Sequence, residues 1–194
     1  DRDNPVRPVL MSLLLDMASL ARVSRLLGYM GRAILSRPAG VPSADILGLL
    51  VQKCIAKGRR PPDLDLSSEP PVVRVDAGLI SDIMETCISV AGHGATPSIR
   101  VGRLPGPMDG TGGIRQGSGG LAVFEIGWER SLEPRMPLDQ AMELAASGSI
   151  PPAAELELLA IALELSGCIF ELDGNEIRIV TPAEMEEETL APEV

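Results

Sequence analysis

The stretch Asp76–Ala91, DAGLISDIMETCISVA, decides how the rest of the chain is read. Leu79, Ile80, Ile83, Met84, Cys87, Ile88 and Ala91 recur at intervals of three and four, the spacing that lines one face of an α-helix. The segment is therefore expected to be an amphipathic helix whose apolar face lies on a core. Upstream, Val72-Val73-Arg74-Val75 alternates as a short strand. Downstream the helix closes on AGHGA, which holds the chain's single histidine, His93. A histidine between two glycines at a helix end reads first as an exposed cap; it is also the one side chain able to accept a phosphoryl group on nitrogen.

Toward the N-terminus, a long helical pattern runs from about Pro8 to Ser36. Leu13, Leu20, Leu27 and Ile34 fall seven apart, a stripe suited to a helical bundle or coiled-coil seam. Pro38, Gly40 and Pro42 break this helix, and Ser43 is a good N-cap for a second helix reaching about Lys57, with Ile46, Leu49, Leu50 and Ile55 on one face. Two helices joined by a short turn predict an antiparallel hairpin that dimerises through residues 8–57 to cover its remaining apolar face. Arg22, Arg25, Arg32 and Arg37 lie off the stripe, and Lys53, Lys57, Arg59 and Arg60 close the second helix. They read either as a solvated face or as a docking surface for an acidic partner.

Residues 58–71, GRRPPDLDLSSEPP, read as a Pro/Ser-rich connector, which divides the chain into a helical hairpin (1–60), a linker (61–71), an α/β unit (72–183) and an acidic tail (184–194). Charge follows the same division. Residues 1–60 hold ten Lys/Arg against four Asp/Glu, a balance of +6, so the remainder carries −16 of the total of −10. Within the α/β unit, Ser98–Leu104 and Leu121–Ile126 alternate as strands around a glycine-rich stretch. A phosphate-binding loop would need Gly-Lys-Ser/Thr leading into a helix, so glycines joining strand to strand read as a long hairpin loop. A short helix over Pro137–Ala146, an apolar helix from about Pro152 to Ser166 capped by Gly167, and a hairpin turning on Asp173-Gly174-Asn175 complete the pattern.

Composition sets limits on function. With 194 residues and 45% apolar content, the chain has ample material for a packed core. Aromatics are only 2%, which removes the stacking platforms of single-stranded nucleic-acid binders. Cys54, Cys87 and Cys168 are odd in number and far apart, each in an apolar run. That reads as reduced, buried thiols of a cytoplasmic protein rather than as disulfides or a metal site. No apolar run reaches the roughly 18 residues of a membrane span, there is no signal-peptide pattern, and the lack of an initiating Met suggests a piece of a longer protein.

The order of these elements resembles the dimerisation and ATP-binding core of sensor histidine kinases across nearly the whole chain. In that family the helix after the Asp carries two Asn on its other face, the second of which helps hold the magnesium of ATP. In the register set by Asp76 these positions are Thr86 and Val90, and Val has no lone pair for a cation that wants oxygen ligands. The family's next strand ends Asp-x-Gly-x-Gly, with Asp gripping the adenine amino group. The matching residues are Glu125-Ile126-Gly127-Trp128-Glu129, with Glu125 expected to intrude on the pocket and Glu129 to repel triphosphate. Counting back from Gly167, the glycines of the family's Gly-x-Gly-Leu turn become Ala153 and Glu155, which oppose phosphate at a helix start. Leu27-Gly28-Tyr29 matches the end of the family's first helix and puts the phosphorylated His at Met17.

The resemblance implies an α+β fold in which a dimeric four-helix bundle precedes an ATPase-like sandwich with a mixed sheet. With each landmark stripped of its chemical residue, it implies a pseudokinase: no catalytic residue, no cofactor, and no metal. The partners it implies are a second copy through Leu13, Leu20, Leu27 and Ile34, and a response-regulator receiver or an authentic kinase at Arg22, Arg25, Arg32, Lys53 and Lys57. A histidine phosphotransferase, which would need a His on the hairpin, and a plain oligomerisation module are the alternatives.

Overall fold

The computed structural model describes residues 6–66, 70–91, 96–104, 120–128, 136–146 and 150–184. The elements run α1 (Val6–Leu35), β1 (Ala39–Pro42), α2 (Ser43–Ala56), β2 (Asp63–Leu66), β3 (Val72–Val75), α3 (Ala77–Ala91), β4 (Ser98–Leu104), β5 (Leu121–Gly127), α4 (Leu138–Ala146), α5 (Pro152–Leu165), β6 (Ile169–Asp173) and β7 (Glu176–Pro182). Five strands form one mixed sheet in the order β2-β4-β5-β7-β6, with β2 parallel to β4 and the other pairs antiparallel. β1 and β3 make a separate antiparallel pair.

Strand alternation assigns the sheet's two faces. Ile99, Val101, Ala122, Phe124, Ile126, Ile177, Ile179 and Phe170 fill one face and are buried with the inward sides of α2, α3 and α5 in one continuous cluster. Between Ala153 and Leu163 α5 is covered on nearly every side, so that even Glu155 and Glu157 are buried. It packs against α1, α3, α4 and β6, which explains why its sequence is apolar all round rather than striped. The tight turn after α5 and the β6–β7 turn fall on Gly167 and Gly174, whose φ values of 80° and 57° favour residues without a Cβ.

The expected two-helix hairpin is replaced by a different arrangement. α2 packs on α3, not along α1, and its buried Ile46, Leu47, Leu50 and Cys54 belong to the core of the α/β body. The cause lies in the turn. Ala39–Pro42 is extended and pairs with Val72–Val75, which turns α2 onto the body. Ser43 is consequently not the N-cap: Pro42 occupies that position, the Ser43 N–H donates to the Pro71 carbonyl at 2.9 Å, and the Ser43 hydroxyl is buried without a hydrogen-bond partner.

The stretch 61–71 is not only a linker either, because Asp63–Leu66 forms the edge strand β2. Its alternation of two aspartates with two leucines is a strand pattern that the flanking prolines and serines conceal. At the other end, Glu184, expected in the tail, donates its N–H to the Val72 carbonyl at 2.8 Å. The rest of the acidic tail, 185–194, lies outside the described residues, as do His93, most of the glycine-rich stretch and Glu129. Among the described residues no helix is long and apolar enough to cross a membrane.

α1 has two regimes. Its C-terminal half buries Leu26, Tyr29 and Ala33 against the body, chiefly on α5 and also on α3. The residues before it project, with Leu13, Leu14, Leu15, Met17 and Leu20 exposed.

Candidate functional site

α3 is positioned by its first residues. The Asp76 carboxylate accepts from the Leu79 N–H at 2.8 Å, capping the helix. The same Oδ1 accepts from Arg32 of α1 at 3.1 Å, while the other Arg32 nitrogen reaches Asp82 at 2.7 Å. The guanidinium fork thus bridges the start of α3 to its second turn. Gly78 leaves room for it, since a Cβ there would lie 3.0 Å from Arg32 Nη2.

One turn further along, Thr86 meets α1. Its hydroxyl donates back to the Asp82 carbonyl at 2.9 Å, and Tyr29 Oη lies 3.0 Å from Thr86 Oγ1. With the Thr86 proton already placed, the Tyr29 hydroxyl is the donor. Burial raises the Tyr29 pKa, so the phenol stays neutral and keeps that proton. Val90 is half-buried against the core. Both positions at which the resemblance looks for Asn are therefore occupied with packing, and the first lies directly under α1.

The start of α5 faces the same helix. Ala153 and Glu155 are both buried, and the Glu155 N–H is bonded within the first turn to the Pro151 carbonyl at 3.1 Å. Burial pushes the Glu155 carboxyl up from the ordinary range, with Arg22 and then Arg25 of α1 pulling it back. Thr86, Val90, Ala153 and Glu155 thus supply one committed hydroxyl, two apolar side chains and one desolvated carboxyl.

The strand-end motif turns out differently. Glu125 and Gly127 were expected to border a pocket, but the sheet register puts Phe124 and Ile126 on the helix side and Glu125 and Gly127 on the opposite face. Glu125 does not intrude on a pocket: it lies between Arg178 at 3.4 Å and Arg100 at 3.8 Å on the neighbouring strands. Gly127 stands opposite Ser98, where a Cβ would come within 3.2 Å of the hydroxyl. At the end of the strand the core side is taken by Trp128, whose backbone N–H donates to Asn175 and whose carbonyl accepts from the Asn175 side chain.

The cations expected to meet a partner divide into two groups. Arg32, Lys53 and Lys57 are engaged within the chain: Arg32 as above, Lys53 with Asp82 at 2.7 Å, and Lys57 with Glu85 at 2.6 Å. Once α2 lies on α3, its basic end meets the acids of that helix. Arg59 completes the cluster, 2.6 Å from the second Glu85 oxygen, on a carboxylate only 4% exposed. Arg22 and Arg25 remain exposed on α1. Met17 is 68% exposed on the projecting half of α1, and the stripe Leu13, Leu20, Leu27 and Ile34 is exposed along its whole length.

Asp82 and Glu85 organise this region without having been singled out by sequence, and Tyr29 was named there only as part of a Gly-Tyr pair. Glu85 and Asp82 interrupt an otherwise apolar helix at positions that one neighbouring helix cannot leave wet, and that was the available signal. Among the described residues no group of three or more His, Cys, Asp or Glu side chains could hold a metal ion.

No protein-family model and no curated protein matches the chain. Solved structures that it is similar to include sensor histidine kinases. The mycobacterial sensor histidine kinase MprB is 14% identical with a TM-score of 0.48, over 76% of this chain and 98% of that one. The Acinetobacter baumannii histidine kinase AdeS is 13% identical with a TM-score of 0.49, over 95% and 87%. The ATP-binding domain of PrrB from Mycobacterium tuberculosis is 15% identical with a TM-score of 0.42, over 77% and 98%.

Proposed function

We propose that the chain is a non-catalytic signal-transduction scaffold built on a histidine-kinase-like core, which dimerises and relays conformational signals to a response regulator or kinase partner. The observation that supports this reading is the Tyr29–Thr86 contact, through which α1 of the same chain covers the Thr86 hydroxyl, at the position where the resemblance looks for Asn. Val90 and Ala153 have no cation ligand to offer, and the Glu155 N–H, bonded to the Pro151 carbonyl, is not free for a triphosphate.

Dimerisation through Leu13, Leu20, Leu27 and Ile34 is supported by the geometry of α1. At about 100° per residue, the mean direction of this stripe lies roughly 140° around the helix from that of Leu26, Tyr29 and Ala33. One helix can therefore dock on its own body and present the stripe to a second copy at the same time. Arg22 and Arg25 are the cations left for an acidic receiver, where opposite charge would speed encounter more than it adds affinity.

Calorimetry tests the first claim: no magnesium-dependent ATP binding is expected, and micromolar affinity would overturn it. Light scattering tests the second. Leu20→Asp with Leu27→Asp should convert a dimer into a folded monomer, since both side chains are exposed in the single chain (69% and 58%). An unchanged mass refutes the stripe as the interface. Reversing charge at Arg22 and Arg25 should slow association with a copurified partner while leaving the dimer intact; a partner that binds without salt dependence overturns the charge-guided part.

A further inference from the structure

Three rows of side chains cross the whole sheet and end at β2. Leu64–Ile99–Ile126–Ile177–Leu172 and Leu66–Val101–Phe124–Ile179–Phe170 face the helices, and Asp65–Arg100–Glu125–Arg178–Glu171 faces the other way. The two edges of the sheet are finished differently. At β6 the helix-facing rows are covered, with Phe170 at 4% exposure. At β2 they are left open: Leu64 and Leu66 keep 39% and 42% of their surface exposed, although Ile99 and Val101 beside them are buried.

The backbone is open there too. Among the described residues β2 pairs with β4 alone, so one side of the strand has its N–H and C=O groups turned to solvent. The charged row alternates strictly in sign across five strands, with Asp65 and Arg100 3.1 Å apart, and it terminates at β2 on an exposed acid. Asp63, the next residue on that face, is acidic as well.

We propose that the free edge of β2 is a docking site for an extended segment of a partner protein with the pattern apolar–basic–apolar. Its Lys or Arg stands beside Asp65, and its flanking apolar side chains cover Leu64 and Leu66. The chain already shows β2 accepting such a strand, because Ile99-Arg100-Val101 of β4 has this pattern on the opposite side. A second copy does not fit. Two β2 strands aligned so that their leucines share the core face bring aspartate against aspartate, and like charges directly opposite destabilise a strand pair. This inference stands apart from the non-catalytic reading, because it concerns the sheet edge and not the surface under α1.

The test uses the full chain and a labelled, acetylated Thr-Val-Arg-Val-Thr peptide, with Thr-Val-Glu-Val-Thr as its counterpart. Saturable binding by fluorescence anisotropy is expected for the Arg peptide, with slowed amide exchange confined to Leu64 and Leu66, since the Asp63 N–H already donates toward β4. The Glu peptide should bind at least about fivefold more weakly. Asp65→Ser should erase the preference; an uncharged residue sets no like charge against Arg100 across the β2–β4 pair, and the peptide comparison needs no variant at all. Methylating alternate peptide nitrogens should abolish binding. The proposal is overturned if neither peptide saturates, or if both bind equally, which would make the acids a guard against association. It is also overturned if Leu64 and Leu66 become protected without peptide as chain concentration rises, which would make a second copy the occupant.

Discussion

The docking of α1 rests on a hydrogen bond whose removal has an unusual thermodynamic signature. In the native state Tyr29 donates to Thr86, and Thr86 donates on to the Asp82 carbonyl. Tyr29→Phe removes the donor while Thr86 keeps its own bond, so the loss is a net hydrogen bond of about 1 kcal/mol. Thr86→Val is worse, because it leaves a phenol hydroxyl on a residue only 8% exposed without its acceptor, a cost of about 1–3 kcal/mol. The double variant leaves nothing stranded. Adding Tyr29→Phe to Thr86→Val should therefore be neutral or stabilising, and the cycle should show a coupling of about 1 kcal/mol or more. For a chain of this size each kcal/mol moves Tm by about 2–4 °C, which calorimetry resolves. Urea melts give the same energies independently, and amide exchange over 23–33 reports whether α1 lifts. If α1 did not lie on the body, Tyr29→Phe would fall within about 0.5 kcal/mol of wild type, as surface substitutions do. A cycle additive to within about 0.3 kcal/mol refutes the contact.

The neighbours Leu26 and Leu27 should separate the two faces of α1: Leu26→Ala should cost about 2–5 kcal/mol of stability with mass unchanged, and Leu27→Asp should shift the mass in light scattering with little loss of stability. Glu155 has a raised native pKa from burial, so proton release opposes folding and stability falls as pH rises from the unfolded carboxyl value, about 4.3, toward the native one. Glu155→Gln should therefore match wild type in urea melts near pH 4 and exceed it at neutral pH; the reverse order would contradict the burial. The Cys87 thiol, pushed up to about 12 by burial, should label with a disulfide reagent only as fast as the chain unfolds, as should Cys54 and Cys168, both buried. Introducing Thr86→Asn and Val90→Asn together should not confer nucleotide binding measured by calorimetry, because Tyr29 and the buried Glu155 remain.

What the sequence made legible was local and periodic. The spacing of α3, the alternation of β4, β5 and β7, and the Gly167 and Gly174 turns need only near neighbours, and each appears within a residue or two of its expected bounds. The errors came where a long-range pairing overrode a local signal. Pro38, Gly40 and Pro42 read as a turn between two helices, yet Ala39–Pro42 extends to pair with β3, and that pairing sends α2 to α3. Asp63–Leu66 read as linker because its flanks are rich in Pro and Ser, while its four residues are held by a parallel partner more than thirty positions away. Glu125 was assigned to a pocket through alignment with a motif; the alternation of its own strand, with Phe124 and Ile126 on the core side, already placed it on the other face.

The basic residues of the first sixty carry the same lesson into function. By charge alone they form one cationic unit facing an anionic body, and such a surface can serve a partner or be neutralised within the chain. The fold divides it. Arg32, Lys53, Lys57 and Arg59 meet Asp76, Asp82 and Glu85 and bind α1 and α2 to α3. The Glu85 pairs rest on a carboxylate almost fully out of water, so removing both of its cations would leave a buried charge uncompensated, and reversing Arg22 and Arg25 would likewise strip the buried Glu155 carboxyl of the cations that offset its burial. A change at the exposed stripe of α1 is thus connected to the body through Tyr29 and the Arg32 fork, both on the same two turns as Leu27 and Ile34. If dimerisation tilts α1, the strain falls first on Thr86, Asp76 and Asp82 of α3, and through α3 on the core beneath the sheet.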